Sequence, residues 1–151
     1  MKGGALGNRT FAILKPDAIE KNIYGDIISR IQADGFKIIG MKMTKLNERT
    51  ATGFYEVHKD KPFFPGLLEY MTSGACIPMV LVKENAVADF RKLIGSTDPI
   101  KADEGTIRKD FADDITHNII HGSDSDENAE IEIAFFFNRA ELIGNAGLNC
   151  C

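Results

Sequence analysis

The stretch Asn118-Ile119-Ile120-His121-Gly122-Ser123-Asp124-Ser125 changes from a strand-forming to a helix-capping composition. The β-branched pair Ile119-Ile120 favours an extended backbone, and Gly122 argues against a helix at this point. Ser125 is a candidate N-cap, because apolar residues recur at helical spacing after it. We therefore predict that residues 118–121 form the last strand of the fold and lead into its last helix.

Apolar runs upstream predict further strands at residues 10–14, 36–43 and 76–82. The first should end before Pro16, which lacks a backbone donor and restrains the preceding residue to an extended conformation. Residues 36–43 are apolar on both faces, so we expect this strand to be well covered. Pro78, inside the third run, is compatible with a bulge or a sheet edge.

Amphipathic segments between these runs predict helices. Ile23, Ile27 and Ile31 recur at helical spacing, and Asp34-Gly35 closes that helix. Further helices are expected to begin at Phe63-Phe64-Pro65 and after two candidate N-caps, Asn47 and Asn85. Residues 95–117 show no sustained period, which is typical of a long functional loop.

The order strand–helix–strand–helices–strand–helix predicts an α+β sandwich with helices packed over one sheet, and a βαββαβ unit fits it. The chain contains no internal repeat, low-complexity tract or linker. We interpret residues 1–151 as a single domain with a core at about 8–140 and a tail at 144–151.

Composition and charge exclude several classes of function. The chain is 44% hydrophobic and 26% charged, as in soluble globular proteins, and its apolar runs are too short to cross a bilayer. A net charge of −4 gives no electrostatic attraction to nucleic acid or an anionic membrane. The N-terminus lacks the shape of a signal peptide, and three cysteines make a poor disulfide framework, so we expect cytoplasmic residence. Cys150-Cys151 is more typical of a frayed tail than of a lipidation site.

The absence of several common motifs restricts how the chain could bind phosphate. The motifs GxxxxGK[ST], GxGxxG, GxSxG and CxxC are absent, so any phosphate would be held by side chains rather than by a glycine-rich backbone. His121 is a candidate nucleophile, because imidazole keeps a free lone pair near neutral pH. Gly122 would let a phosphate approach, and Ser123 would hydrogen-bond near the ring.

Ordinary structural roles explain each of these residues when it is considered alone. His121 could end a strand before a turn and helix cap, and spacing alone favours that interpretation. His117 and His121 could bind zinc only on a helix, which Gly122 disfavours, and a third ligand is missing. Taken singly, Lys15 is one more strand end, Arg91 and Arg108 are exposed cations, and Phe63 is a core residue.

Considered together, the motifs resemble those of the nucleoside diphosphate kinase family. The active-site signature of that family is similar to Asn118-Ile119-Ile120-His121-Gly122-Ser123-Asp124-Ser125. The resemblance covers residues 8–137 in family order, through Thr10-Phe11-Ala12-Ile13-Leu14-Lys15-Pro16-Asp17, Phe54-Tyr55-Glu56-Val57-His58, Lys61-Pro62-Phe63-Phe64, Met71-Thr72-Ser73-Gly74, Asn85-Ala86-Val87, Gly95-Ser96-Thr97-Asp98-Pro99 and Gly105-Thr106-Ile107-Arg108. The tail at 144–151 has no counterpart in the family, and His117 occupies a variable position.

The resemblance implies a ferredoxin-like βαββαβ domain, with a four-stranded antiparallel sheet, in a homo-oligomer (hexamer or tetramer). It implies ping-pong transfer of the γ-phosphate, chiefly from ATP, to a nucleoside diphosphate through a phosphohistidine, which maintains nucleoside and deoxynucleoside triphosphate pools including GTP, CTP and UTP. Mg²⁺ is expected on the nucleotide phosphates rather than in a protein metal site. The expected partners are nucleoside di- and triphosphates, without a membrane or nucleic acid.

The resemblance also implies residue roles, carried over by position. His121 is the nucleophile through Nδ1, and Glu132 and Ser123 orient its ring. Lys15 and Asn118 contact the ribose 3′-hydroxyl, and Lys15 also reaches the transferring phosphate. The other expected nucleotide contacts are Arg91, Thr97 and Arg108 on the phosphates, His58 near them, Tyr55 bordering the site, and Phe63, Ile115 and Leu67 around the base.

Phosphoryl transfer needs such a set, because positioning and charge neutralisation supply most of the catalysis. A base held by stacking alone would be bound with little discrimination. A phosphohistidine relay protein or phosphatase would leave Phe63, Thr97, Arg108 and Asn118 without a joint purpose. A binding or regulatory scaffold that had lost catalysis is disfavoured, because the expected site positions are intact.

Overall fold

The computed structural model describes residues 7–142. The strands are β1 (Arg9–Leu14), β2 (Lys37–Met41), β3 (Thr44–Lys45), β4 (Ala75–Val82) and β5 (Ile120–Gly122). The α-helices are α1 (Pro16–Glu20), α2 (Tyr24–Ala33), α3 (Glu48–Phe54), α4 (Phe64–Met71), α5 (Ala86–Ile94), α6 (Ile107–Phe111) and α7 (Asp126–Phe136). Short 3-10 turns cover Glu56–His58 and Arg139–Glu141. The predicted tail at 144–151, with Cys150-Cys151, lies outside the described residues.

The sheet has the order β2-β4-β1-β5, and every neighbouring pair is antiparallel. The expected α+β, ferredoxin-like fold is confirmed. The expected strand number is one too low, because the two-residue strand β3 also pairs with β4 and makes the sheet five-stranded. The predicted run 36–43 is therefore a shorter strand, β2, which ends before β3 begins.

Apolar cores lie on both faces of the sheet, and β1 contributes to each. Ala12 and Leu14 join a cluster that includes Ile27, Ile31, Phe90 and Ile94 from α2 and α5. Phe11 and Ile13 point to the other face, where they join residues of α3, α4 and α7. Because alternate side chains of a strand point to opposite faces, a strand covered on both sides must be apolar throughout. This explains the uninterrupted apolar run of β1.

The expectation that the strand at 36–43 is well covered was wrong. β2 is an edge strand, and Lys37 and Met41 at its ends are exposed. Pro78 instead lies in β4, between β1 and β2. Its carbonyl accepts the Lys42 N–H (3.2 Å), so its nitrogen faces the same side, just past the end of β2. The missing donor therefore faces a point where strand pairing has already stopped.

Two further predictions need correction. Asn85 precedes α5 in a left-handed conformation (φ 57°), and its side chain makes no capping hydrogen bond within residues 7–142. Residues 95–117 are not wholly irregular, because α6 lies within them, capped by the Thr106 side chain on the Lys109 N–H. Asn47 and Ser125 do cap α3 and α7 with their side chains, as predicted. None of the helices between residues 7 and 142 has the length and apolar content needed to cross a bilayer.

Candidate active site

The pairing of β1 with β5 assembles the centre of the candidate site. Ile13 pairs with His121, and just beyond the ladder the Lys15 N–H donates to the Ile119 carbonyl (2.8 Å). This register places the end of β1 beside the segment that enters β5. As a result, Lys15 donates a hydrogen bond from Nζ to Oδ1 of Asn118 (2.7 Å), and both side chains are buried.

The His121 ring is fixed through one of its two nitrogens. Nε2 lies 2.9 Å from Oε1 of Glu132 on α7, and the Ser123 hydroxyl donates to the same oxygen (2.6 Å). The rings of Phe11 and Phe54 pack near the imidazole, with centroid distances of 6.1 and 5.6 Å. Because a carboxylate oxygen accepts, Nε2 carries the proton in this pair, and the free lone pair of the ring belongs to Nδ1.

Arg108 is buried, whereas we expected an exposed cation when we considered this residue without its neighbours. Its guanidinium donates to the carbonyls of Gly95 (2.9 Å) and Ile120 (2.7 Å), and more weakly to that of Asn118 (3.4 Å). Burial lowers the pKa of Arg108 to about 10, and the neighbouring charge of Arg91 adds to this effect. Arg91 itself is exposed on α5, so only Arg108 of these two cations is held by backbone carbonyls in a buried position.

The ammonium group of Lys15 lies in surroundings that disfavour its positive charge. Burial and, to a smaller extent, the charge of Arg108 lower its pKa to about 8, although the Asp17 carboxylate opposes both effects. A buried lysine beside a second cation has little reason to remain charged unless an anion approaches. The arrangement of Lys15 and Arg108 therefore favours binding of a negatively charged group.

Asn118 connects the loops around this centre. Its Nδ2 donates to the carbonyls of Thr97 (3.3 Å) and Ile115 (3.1 Å), while its Oδ1 accepts from Lys15. Both N–H groups of the amide are therefore used, and Oδ1 keeps a second lone pair. Together with Arg108, which donates to the Ile120 carbonyl, Asn118 thus attaches the long segment 95–117 to β5.

The residues expected around the base lie at the surface. Phe63 is 54% exposed and Ile115 is 60% exposed, whereas Leu67 is half-buried. The His58 ring packs 5.5 Å from the Phe63 ring. Exposed apolar side chains of this size are suited to cover a flat ligand, because their burial would be favourable.

Tyr55 is placed differently from the other expected nucleotide contacts. It is buried, and its ring meets the Phe54 ring edge-on at 4.9 Å. Burial raises the pKa of Tyr55, and the nearby Cys76 and Glu132 raise it further. Tyr55 therefore belongs to the core that supports the His121–Glu132 pair rather than to an open rim.

Gly122 has a role that the sequence analysis did not anticipate. A Cβ at this position would lie 3.0 Å from both Phe90 and Ile94 on α5. The side of Gly122 thus faces the helix packed on the opposite face of the sheet from His121, and its small size allows close packing there. The expectation that Gly122 also lets a phosphate approach stays a prediction.

Sequence reasoning also missed Asp17 and the backbone of Ile119. Asp17 is buried and its Oδ2 accepts the Ile119 N–H (3.1 Å). Ile119 has a positive φ of 75°, which is rare for a β-branched residue. The sequence carries a weak signal for Asp17, because this carboxylate comes directly after Lys15-Pro16. It carries no signal for the backbone conformation of Ile119.

A protein metal site is not apparent near these residues. Within residues 7–142, no three His, Cys, Asp or Glu side chains are grouped so that they could hold a metal ion. Glu132 is engaged by His121 and Ser123, and the buried Asp17 carboxylate accepts the backbone N–H groups of Ala18 and Ile119. The expectation that Mg²⁺ is held by the nucleotide phosphates stays a prediction.

Comparison with known proteins identifies the family. The model of the nucleoside diphosphate kinase family matches residues 8–142. The chain belongs to the nucleoside diphosphate kinase family. The nucleoside diphosphate kinase of Chloroherpeton thalassium is 59% identical over 137 residues, which cover 91% of this chain and 97% of the relative. That of Wolbachia pipientis wMel is 57% identical over 135 residues, or 89% and 97% of the two chains.

Solved structures of nucleoside diphosphate kinases share the fold. The enzyme from Aquifex aeolicus superposes with a TM-score of 0.88 at 41% identity, covering 90% of this chain and 99% of that one. The enzyme from Halobacterium salinarum, solved in complex with CDP, gives a TM-score of 0.87 at 40% identity, covering 94% and 98%. Membership of the family is therefore supported by both sequence and fold over nearly the whole described chain.

Proposed function

We propose that the chain is a nucleoside diphosphate kinase that transfers a γ-phosphate, chiefly from ATP, to nucleoside diphosphates through a phosphohistidine on Nδ1 of His121. The observation that carries this assignment is the contact between Nε2 of His121 and Glu132 (2.9 Å). It leaves Nδ1 as the nucleophilic nitrogen of a ring that is already oriented. Family membership supports the reaction, and the geometry supports the choice of residue.

The transfer proceeds in two half-reactions. The Nδ1 lone pair forms a bond to the γ-phosphorus, while the bond from that phosphorus to the β,γ-bridging oxygen breaks and the diphosphate leaves with the electron pair. A terminal β-phosphate oxygen of a second nucleoside diphosphate then attacks the phosphorus, and the P–N bond breaks. Glu132 accepts the Nε2–H throughout and stabilises the positive charge that the ring acquires.

The cations Lys15, Arg91 and Arg108 would neutralise the phosphate oxygens, with Thr97 and His58 as additional polar contacts. Lys15 and Asn118, already hydrogen-bonded to one another, would also contact the ribose 3′-hydroxyl. Mg²⁺ that arrives with the nucleotide would add to the neutralisation of phosphate charge by these residues. The buried cationic pair Lys15 and Arg108 supports this arrangement, because a phosphate anion would relieve their repulsion.

The base would stack between Phe63 and Ile115, with Leu67 at its edge. The exposure of Phe63 and Ile115 supports this role, since a flat ligand would remove their apolar surface from water. Stacking without hydrogen bonds to the base edge predicts broad base tolerance. The CDP complex of the Halobacterium salinarum relative supports binding of a pyrimidine nucleotide by this fold.

The proposal includes a homo-oligomer, a hexamer or tetramer, acting in the cytoplasm. The edge position of β2 supports an interface between copies, and the exposed apolar residues Met41 and Met43 lie on and just beyond this strand. Exposed sheet edges and apolar patches are common sites of subunit contact. Because the reaction produces nucleoside triphosphates, its role would be to maintain the pools of these nucleotides.

Brief incubation with γ-labelled ATP tests the proposal. We expect acid-labile, base-stable label on the wild-type chain, and the label should pass to any added nucleoside diphosphate. His121→Ala should take no label, whereas the matched variant His117→Ala should label normally, because His117 is an exposed imidazole paired with Asp114. An unlabelled wild type, or equal labelling of a folded His121→Ala, would overturn the assignment.

A further inference from the structure

Asp17 is a buried carboxylate for which the proposed reaction has no direct use. It lies at the start of α1, directly after Lys15 and Pro16, and is 7% exposed. Its two oxygens serve different parts of the chain. Oδ1 accepts the N–H of Ala18 (3.0 Å), and Oδ2 accepts the N–H of Ile119 (3.1 Å).

The second bond holds a residue in an unusual conformation. Ile119 is fully buried and has a φ of 75°, in the left-handed region that β-branched side chains seldom occupy. Such a conformation persists only where surrounding contacts determine it. Here both polar groups of Ile119 bind the segment after β1, because its N–H donates to Asp17 and its carbonyl accepts from the Lys15 N–H (2.8 Å).

Ile119 stands between the residues that the reaction needs. Asn118 precedes it and carries the Oδ1 atom that binds Lys15, and His121 follows in β5. A change of φ at Ile119 would rotate Asn118 relative to His121, because the backbone turns between them. The Asp17 carboxylate also faces the Lys15 ammonium, whose pKa it raises against the effects of burial and Arg108.

We propose, on the basis of the phosphotransfer through His121 described above, that Asp17 is a positioning residue which holds Ile119 in its left-handed conformation and thereby aligns Lys15 and Asn118 with His121. It does not touch the nucleotide. Its carboxylate acts through the Ile119 N–H and through its charge. The charged or titratable groups that face Lys15 and Asp17 are Arg108 on α6 and Tyr70 on α4.

Asp17→Asn tests the proposal, because it removes the charge and leaves a single carbonyl oxygen for two N–H donors. The rate of phosphohistidine formation should fall about tenfold or more, as expected for a small misalignment of reacting groups. The alkaline limb of the pH–rate profile should move to lower pH, because Lys15 loses the neighbouring negative charge. Asp17→Glu keeps the negative charge but has a longer side chain. Its alkaline limb should therefore lie closer to that of the wild type than the limb of Asp17→Asn, whereas its rate of phosphohistidine formation should stay low.

Asp89→Asn is the matched control, because it removes one carboxylate from a partly exposed pair with Lys83 (3.1 Å), and Lys83 keeps a second partner in Asp34. Its rate and pH profile should match those of the wild type. If Asp17→Asn lowers the melting temperature but keeps the wild-type rate per folded site and the wild-type pH limb, Asp17 is merely structural and the proposal is overturned.

Two measurements without nucleotide separate this inference from the proposed function. Hydrogen exchange at the Ile119 amide should accelerate in Asp17→Asn relative to neighbouring amides of β5. The Lys15 ammonium, followed by NMR, should titrate at lower pH than in the wild type. Unchanged exchange and titration would overturn the role of Asp17, whereas a wild type that forms no phosphohistidine would overturn the proposed function instead.

Discussion

Oε1 of Glu132 lies 2.9 Å from Nε2 of His121 and also accepts the Ser123 hydroxyl at 2.6 Å. One carboxylate oxygen of Glu132, on α7, therefore holds the side chains of both His121, in β5, and Ser123, directly after it. This arrangement selects the tautomer in which Nδ1 carries the lone pair. It also places an acceptor where positive charge develops when the ring forms a bond to phosphorus.

Glu132→Gln should reduce phosphohistidine formation on the order of a hundredfold, because the amide neither stabilises the charged ring nor enforces one tautomer. The loss should appear in kcat more than in KM, since Glu132 does not contact the nucleotide. Rapid-quench measurement of the first half-reaction checks this. Glu130→Gln on the same helix is the control, because Glu130 pairs with Arg9 instead. A Glu132→Gln rate within twofold of that control would contradict the proposed role.

The pKa of Lys15 predicts opposite trends of activity and stability with pH. Activity should fall as the pH rises through about 8, because the ammonium that binds phosphate loses its proton. Stability should respond in the other direction. Since the folded pKa lies below the ordinary value of 10.5, Lys15 binds more protons in the unfolded chain between these two values, and its contribution to the free energy of unfolding rises with pH. The buried Cys76 thiol, whose pKa is raised to about 11, contributes a fall over the same range, so the contribution of Lys15 is the difference between the wild type and Lys15→Met.

The two trends are measured by initial rates and by urea unfolding between pH 8 and about 9.5, below the ordinary range of tyrosine. Lys15→Met should abolish most activity, and its free energy of unfolding should change less favourably with rising pH than that of the wild type. Lys21→Met is a suitable control, because Lys21 pairs with Asp113 at the surface. If Lys15→Met and the wild type show the same change of unfolding free energy with pH, the low pKa of Lys15 is wrong.

Local signals explain most of what the sequence predicts correctly. Pro16 ends β1, Asn47 and Ser125 cap their helices, and the apolar run of β4 forms a buried strand. Each depends on a residue and its immediate neighbours, which the sequence displays directly. The motif series adds the family, and the fold follows from it.

Long-range pairing explains what the sequence could not predict. The exposure of β2 depends on its edge position, and the burial of Arg108 depends on carbonyls of Gly95 and Ile120 that only the folded chain brings together. The contact of Asp17 with Ile119 joins the two ends of the candidate site across most of the chain. No periodicity or spacing reports such contacts.

Gly122→Ala should destabilise the fold, because the added methyl would lie 3.0 Å from Phe90 and Ile94 in a packed interior. We expect a loss of about 1–3 kcal/mol in the free energy of unfolding, measured by urea titration. Gly25→Ala is the control, since a Cβ on Gly25 meets nothing within 4 Å among the described residues. That substitution should change stability by less than about 1 kcal/mol. Equal stability of the two variants would contradict the packing role of Gly122.

Phe63→Ala tests whether the exposed ring carries nucleotide affinity. The side chain is 54% exposed, so its removal should barely change the free energy of unfolding. KM for nucleoside diphosphates should rise about tenfold, because stacking on an aromatic ring contributes roughly 1–3 kcal/mol per base. Phe63→Tyr, which keeps the ring, should retain most of the affinity.

The pattern across bases decides between stacking and specific recognition at Phe63. Every base presents a flat face, so KM in Phe63→Ala should rise for adenine, guanine, cytosine and uracil nucleotides alike. Val57→Ala is the control, because Val57 is an exposed apolar residue of the neighbouring 3-10 turn without a proposed contact. A rise confined to one base would indicate hydrogen bonding to a base edge, and the predicted breadth of substrates would then be wrong. An unchanged KM for all four would place the base elsewhere, away from Phe63 and its neighbour His58.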